Sequence, residues 1–171
     1  MKKADLLSTL FVVIDISSRK NVVVVMDFES TKPIASFAVP NNEPSAEEMA
    51  KKISTFITPE SGLKKLVIGL ESTSFYGVHI ANCLSTCREL MPFHTEVYYL
   101  NQKSIANYKK SYIGLSKNDY VDAFIIADFA RVGRITTKPW RGCQHLALQR
   151  LTRHRLHLVK ALTKEYGFCM A

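Results

Sequence analysis

Two rhythms of apolar and polar positions alternate along this chain. Phe11 to Ser17 and Val22 to Phe28 are dense in β-branched residues, and the polar stretch Ser18-Arg19-Lys20-Asn21 joins them with the spacing of a hairpin. Ile34 to Val39 predicts a third strand. After the turn signals Pro40-Asn41-Asn42 and Pro44, Ser45 followed by Glu47 and Glu48 predicts a helix start. Met49, Ile53, Phe56 and Ile57 then recur at helical spacing until Pro59. Lys65 to Leu70 reads as a fourth strand, Gly77 to Glu89 as a helix and Thr95 to Leu100 as a fifth strand. Asn101 to Asn118 reads as helix and loop, and Asp119 to Val132 as a helix with Ala123, Ile126, Ala127 and Ala130 on one stripe. Thr136 to Trp140 interrupts, and a last helical pattern runs from Cys143 to about Tyr166. Together these predict an α/β fold, a mixed five-stranded sheet with helices on both faces followed by a basic C-terminal helix.

Four acids break this pattern. Asp15 interrupts the run Phe11-Val12-Val13-Ile14-Asp15-Ile16, which reads as a strand buried on both faces with Asp15 near its centre. A lone carboxylate there costs several kcal/mol unless something positive neutralises it. Glu71 closes the run Leu66-Val67-Ile68-Gly69-Leu70, and Asp119 and Asp122 share one side of the first turn of a helix. Either aspartate alone could serve as a cap or dipole partner, but that does not explain Asp15. Open sheets collect functional groups at the carboxyl ends of their strands, so Asp15 and Glu71 meet if their strands are neighbours. Carboxylates converging from separate elements suit Mg²⁺, which takes oxygen ligands and keeps several waters. A pair of such ions activates the attacking oxygen and stabilises the leaving one in phosphodiester transfer.

The 171 residues carry a net charge of +8, all of it in the last quarter. Residues 131 to 171 hold nine basic side chains and one acid, against 14 of each before them. A balanced body with a basic tail suits a partner bearing spaced phosphates. Lys103, Lys109, Lys110 and Lys117, interleaved with Tyr108 and Tyr112, suit backbone phosphates and stacked bases, and Arg150, Arg153 and Arg155 extend the basic surface. No apolar run approaches the ~20 residues of a membrane span, and Met1 to Leu10 lacks a signal-peptide pattern. The expected setting is the cytoplasm, with no membrane partner. Cys83, Cys87, Cys143 and Cys169 lack CxxC spacing and read as reduced thiols. His79, Cys83 and Cys87 share a helix face but lack a fourth zinc ligand, and His154 with His157 reads as basic surface. Ser72 and Thr73 have no histidine placed to activate them and read as strand-end hydrogen-bonding groups.

The motifs Val13-Ile14-Asp15-Ile16-Ser17 with Lys20, Glu71-Ser72-Thr73-x-x-Tyr76, Leu100-Asn101, Lys117-x-Asp119-x-x-Asp122-Ala123 and Leu151-Thr152-Arg153-x-Arg155 follow one another in a familiar order. In that order the chain resembles the N-terminal part of a DEDD transposase of the insertion-sequence 110 family, over roughly residues 11 to 165. Ser74, Gln102 and Asn118 depart from the family's usual glycine, proline and threonine, and no carboxylate is lost. The resemblance implies a ribonuclease H-like domain similar to the Holliday-junction resolvase RuvC over residues 8–135, with residues 141–171 starting a basic helical linker. It implies that Asp15, Glu71, Asp119 and Asp122 are catalytic and bind Mg²⁺, with Mn²⁺ able to substitute. It also implies DNA as substrate, a structured guide RNA, a homo-oligomer, and a separate C-terminal serine domain absent from these residues. The expected function is thus the metal-binding catalytic domain of an RNA-guided DNA transposase or recombinase, inactive alone for full strand exchange. Two rivals remain: a non-catalytic nucleic-acid-binding or assembly fragment, and a ribonuclease H-fold ATPase or kinase. The second needs a glycine-bearing phosphate hairpin, which Asp15-Ile16-Ser17-Ser18-Arg19 does not supply.

Overall fold

The computed structural model describes residues 3–30, 32–71, 75–112 and 119–170, without the side chains of residues 3, 4, 59, 75 and 119. It divides into two compact units, residues 1–140 and 141–171. In the first, a short helix α1 (Lys3–Leu7) leads into β1 (Thr9–Ile16), β2 (Lys20–Met26) and β3 (Ala35–Pro40). Then come α2 (Glu43–Ser54), β4 (Lys65–Glu71), α3 (Val78–Thr86), β5 (His94–Tyr99), α4 (Gln102–Lys109) and α5 (Asp119–Arg131). The sheet order is β3-β2-β1-β4-β5. β1 pairs antiparallel with β2 and parallel with β4, β2 pairs antiparallel with β3, and β5 runs parallel to β4.

The sheet's two faces bury different sets of side chains, as period-two alternation requires. Leu10, Val12 and Ile14 pack with Leu66, Ile68 and Leu70 against Met49 and Ile53 of α2 and Ile80 and Leu84 of α3. Phe11, Val13 and Val67 face the other way, onto Ala123, Ile126, Ala127 and Ala130 of α5 and Ile105 of α4. Alanines on α5 let that helix lie close over β1 and β2. At Gly69 an added Cβ would stand 2.8 Å from Leu100 Cδ1 and 3.3 Å from Val13 Cγ2, so only a hydrogen fits.

The helix starting near Ser45 begins slightly earlier. Asn42 is the N-cap, its side chain accepting from the Ser45 amide at 2.9 Å, and Ser45 itself is buried in the first turn. Asn101 caps α4 in the same way, accepting from the Lys103 amide at 2.9 Å, so α4 starts directly at the carboxyl end of β5. Beyond α5 the chain returns to β5, where the Trp140 amide donates to the Val97 carbonyl and the indole packs on Tyr99. The α1 turn has no apolar period to announce it and was not expected from the sequence pattern.

The second unit is α6 (Cys143–Cys169), an unbroken helix of 27 residues with no buried residue. It runs three residues beyond the expected end near Tyr166. Leu148, Leu151, Leu158 and Leu162 are all exposed along it. Among the described residues no helix is long and apolar enough to cross a membrane.

Candidate active site

Parallel pairing of β1 with β4 sets Asp15 directly beside Glu71. Asp15 therefore sits at the carboxyl end of its strand, one residue from the last, and not near the centre as the apolar run suggested. There it is partly open to solvent instead of buried on both faces, which removes much of the desolvation cost. Alternation carries both acids to the α5 face, since Phe11 and Val13 precede Asp15 on that side and Val67 precedes Glu71.

α4 and α5 complete the cluster. The Lys109 ammonium, on the last residue of α4, lies 3.4 Å from Asp122 Oδ1 and 3.8 Å from Glu71 Oε2. Burial pushes the Glu71 carboxyl above its ordinary pKa, the Lys109 ammonium opposes this, and the charges of Asp15 and Asp122 push it further up. Three of the four expected acids thus act on one another, in a place where Glu71 Oε2 is buried with no hydrogen-bond partner. Asp119 opens α5, three residues before Asp122, and its side chain lies outside the described residues, as does Lys117.

A buried carboxylate oxygen that accepts no hydrogen bond, with two further acids acting on it, is a place for a hard cation, and an all-oxygen donor set fits Mg²⁺ or Mn²⁺ in kind. Among the described residues, no three histidine, cysteine or carboxylate side chains stand arranged as a ready ligand cage. The ammonium of Lys109 supplies the local positive charge instead.

The sequence profile of the DEDD transposases of the insertion-sequence 110 family matches residues 12–166. The chain belongs to this family. No curated protein sequence matches it. Among solved structures the transposase chain is similar to Thermus thermophilus RuvC in complex with a Holliday-junction substrate, at 10% identity and a TM-score of 0.52, covering 77% of this chain and 99% of that one. A second Thermus thermophilus RuvC structure matches at 14% identity and a TM-score of 0.43, with coverage of 77% and 99%. At 10% identity the first of these likenesses is one of fold, and it agrees with the ribonuclease H-like mixed sheet expected from the sequence.

The basic residues of the transposase chain divide by environment. Lys103 on α4 and Lys110 at its C-cap are exposed, as are Arg150, Arg153 and Arg155 on α6. Lys109, expected to contact nucleic acid, pairs with two of the acids and keeps part of its side chain exposed. Tyr108, expected to stack on bases, has its hydroxyl bound to Asp128 at 2.5 Å and its ring edge-to-face with Phe129.

Asp128 is the residue the sequence reading missed. Buried on α5, it accepts from the hydroxyls of Tyr108 and Tyr112, both at 2.5 Å, and from Arg131, whose other terminal nitrogen donates to the Phe28 carbonyl at 2.9 Å. Burial alone would raise its pKa, but the hydrogen bonds from both tyrosines and Arg131 win and hold the carboxyl below the ordinary range. The signal was present, because an acid inside Phe124-Ile125-Ile126-Ala127-Asp128-Phe129-Ala130 breaks an apolar run just as Asp15 does. This network ties α4 to α5 and so fixes the helix from which Lys109 reaches the acids.

Across the sheet, His79, Cys83 and Cys87 line a cavity of about 470 Å³ with Glu43, Glu47 and Glu89. Burial, first, and the surrounding charges raise the pKa of the Cys83 thiol. For Cys87, burial and its hydrogen bond to Glu89 do the same.

Proposed function

We propose that this chain is the divalent-metal-dependent catalytic domain of a DNA transposase, cutting phosphodiester bonds at the Asp15, Glu71, Asp119 and Asp122 acids. One observation carries the reading: Asp15 and Glu71 are paired in register at the carboxyl ends of adjacent parallel strands, and one lysine links Glu71 to Asp122. When bound, divalent cations would activate an attacking oxygen and stabilise the leaving one. The chain's own part is to hold oxygen donors on rigid elements, with Asp15 and Glu71 fixed by the sheet and Asp119 and Asp122 by α5. Lys109 offsets the repulsion among the acids and would also meet a phosphate brought to them. Lys103, Lys110, Lys117, Arg150, Arg153 and Arg155 would neutralise nucleic-acid phosphates. A structured RNA guiding the DNA choice and assembly with a second copy complete the reading, with residues 8–135 as catalytic unit and 141–171 as basic arm.

Glu71→Gln tests it without a full recombination assay. In the wild type, Mg²⁺ or Mn²⁺ should raise the melting temperature and support nicking of branched DNA. In the variant both responses should vanish, while circular dichroism and DNA affinity stay unchanged. Metal-dependent nicking at the wild-type rate in Glu71→Gln would overturn the assignment. A second reading, a nucleic-acid-binding module without catalysis, is favoured by the Lys109 contacts, since acids already neutralised by a lysine need no metal. It predicts no metal-induced stabilisation in the wild type.

A further inference from the structure

On the outer side of α4 lies an open hollow of about 550 Å³, lined by Ser104, Asn107, Tyr108, Phe129, Arg134 and Thr136 among others. We propose that this hollow holds an unpaired nucleotide of the DNA strand that passes the acids. The inference rests on the DNA-processing role proposed above and adds a place for one base.

The chemistry of the lining selects the ligand. The half-buried Tyr108 ring forms part of the floor, fixed by its edge contact with Phe129 and by the bond from its hydroxyl to Asp128. The guanidinium of Arg134 lies over this ring, 5.8 Å from its centroid, on an exposed side chain that can move to cover a second flat face. An aromatic floor, a planar cation and hydroxyl or amide groups at the rim are what an unstacked base requires, since stacking serves its faces and hydrogen bonds its edge. Because the floor is fixed beforehand, binding loses little side-chain entropy. The described lining includes one cation and no carboxylate, which suits a ligand carrying phosphate.

The arrangement around α4 adds position. At 3.6 residues per turn, Ser104, Asn107, Tyr108 and Ser111 share the hollow's face, Lys103 and Lys110 share the next, and Lys109 leaves on the far side toward Glu71 and Asp122. A strand crossing α4 would meet the lysines with its phosphates and the hollow with one base, roughly one helix diameter (about 10 Å) from the acids. A base inside a duplex is stacked on both sides and cannot enter, so the nucleotide must be unpaired.

The test uses the whole chain and two DNA hairpins of the same length, one fully paired and one with a single unpaired 2-aminopurine. The wild type should bind the unpaired hairpin at least about fivefold tighter and quench its fluorescence, as stacking on an aromatic ring does. Asn107→Leu, which fills the hollow without changing charge, and Arg134→Lys, which keeps the charge but loses the planar surface, should each erase that preference and leave affinity for paired DNA as it was. No preference in a wild type that binds paired DNA, a preference that survives both variants, or a preference for the same hairpin made in RNA would each overturn the proposal. Failure to bind either DNA would remove the DNA-processing reading itself, and the hollow's role with it.

Discussion

Replacing Asp128 by alanine should cost this fold about 3 kcal/mol. The carboxylate accepts from two tyrosine hydroxyls and from Arg131, and its loss leaves both hydroxyls beside Phe124 and Phe129 without this acceptor while Arg131 keeps only the Phe28 carbonyl. Breaking a buried charge pair by removing one partner costs about 3–5 kcal/mol, and the lower end applies because the Arg131 side chain keeps 20% of its surface in water. Against a total stability of about 5–15 kcal/mol this is a large share. With a urea dependence of about 2 kcal/mol per molar, the unfolding midpoint of Asp128→Ala should fall by about 1.5 M, read by circular dichroism. The pH profile checks the cause. A carboxyl held below its ordinary pKa contributes stability above the unfolded value, near about 4, and loses it as pH falls through the folded value. The wild type should therefore weaken on acidification below about pH 4 more steeply than Asp128→Asn, which has no proton to take up there. A midpoint shift under about 0.3 M in Asp128→Ala would refute the account of this network.

Three further expectations concern the sheet, the acid cluster and the α2 cap. Gly69→Ala should destabilise by about 1–3 kcal/mol, because the new methyl meets Leu100 and Val13 at under van der Waals distance, and an unchanged urea midpoint would contradict the packing described. Lys109→Met should lower the metal-free melting temperature at low salt by the equivalent of about 1 kcal/mol and enlarge the stabilisation by Mg²⁺, since no ammonium competes for the acids. An identical Mg²⁺ response in variant and wild type would show that the lysine does not share the cation's place. Asn42→Ala should cost about 1 kcal/mol through loss of the α2 cap, whereas Ser45→Ala, inside the first turn, should cost less.

Periodicity carried most of the fold. The strands around Val13, Val24, Phe37, Ile68 and Val97 all stand where β-branched density placed them, and the alanine stripe of α5 faces the sheet as its spacing required. What periodicity does not contain is pairing. Nothing in the run around Asp15 says which strand lies beside it, so the meeting of Asp15 with Glu71 was conditional until the order β1-β4 appeared. The depth of Asp15 was misread for a related reason: the strand starts at Thr9, earlier than its β-branched run suggested, and ends at Ile16, so the acid falls near the exit and not in the middle. Tyr108 and Lys109 were legible as an aromatic and a cation, but their partners lie on α5 and β4. Asp128 obeyed the same rule that exposed Asp15 and passed unnoticed because an acid on a helix has so many ordinary explanations.

The pairing of β1 with β4 also governs when Asp15 and Glu71 meet. β1 finds β2 through a short hairpin, but its other neighbour arrives only after β3 and α2 have been made, and closing so long a loop is slow compared with closing a hairpin. A chain still emerging from the ribosome holds Asp15 without Glu71. A slip of one residue in that late ladder would turn the two acids to opposite faces and keep them apart.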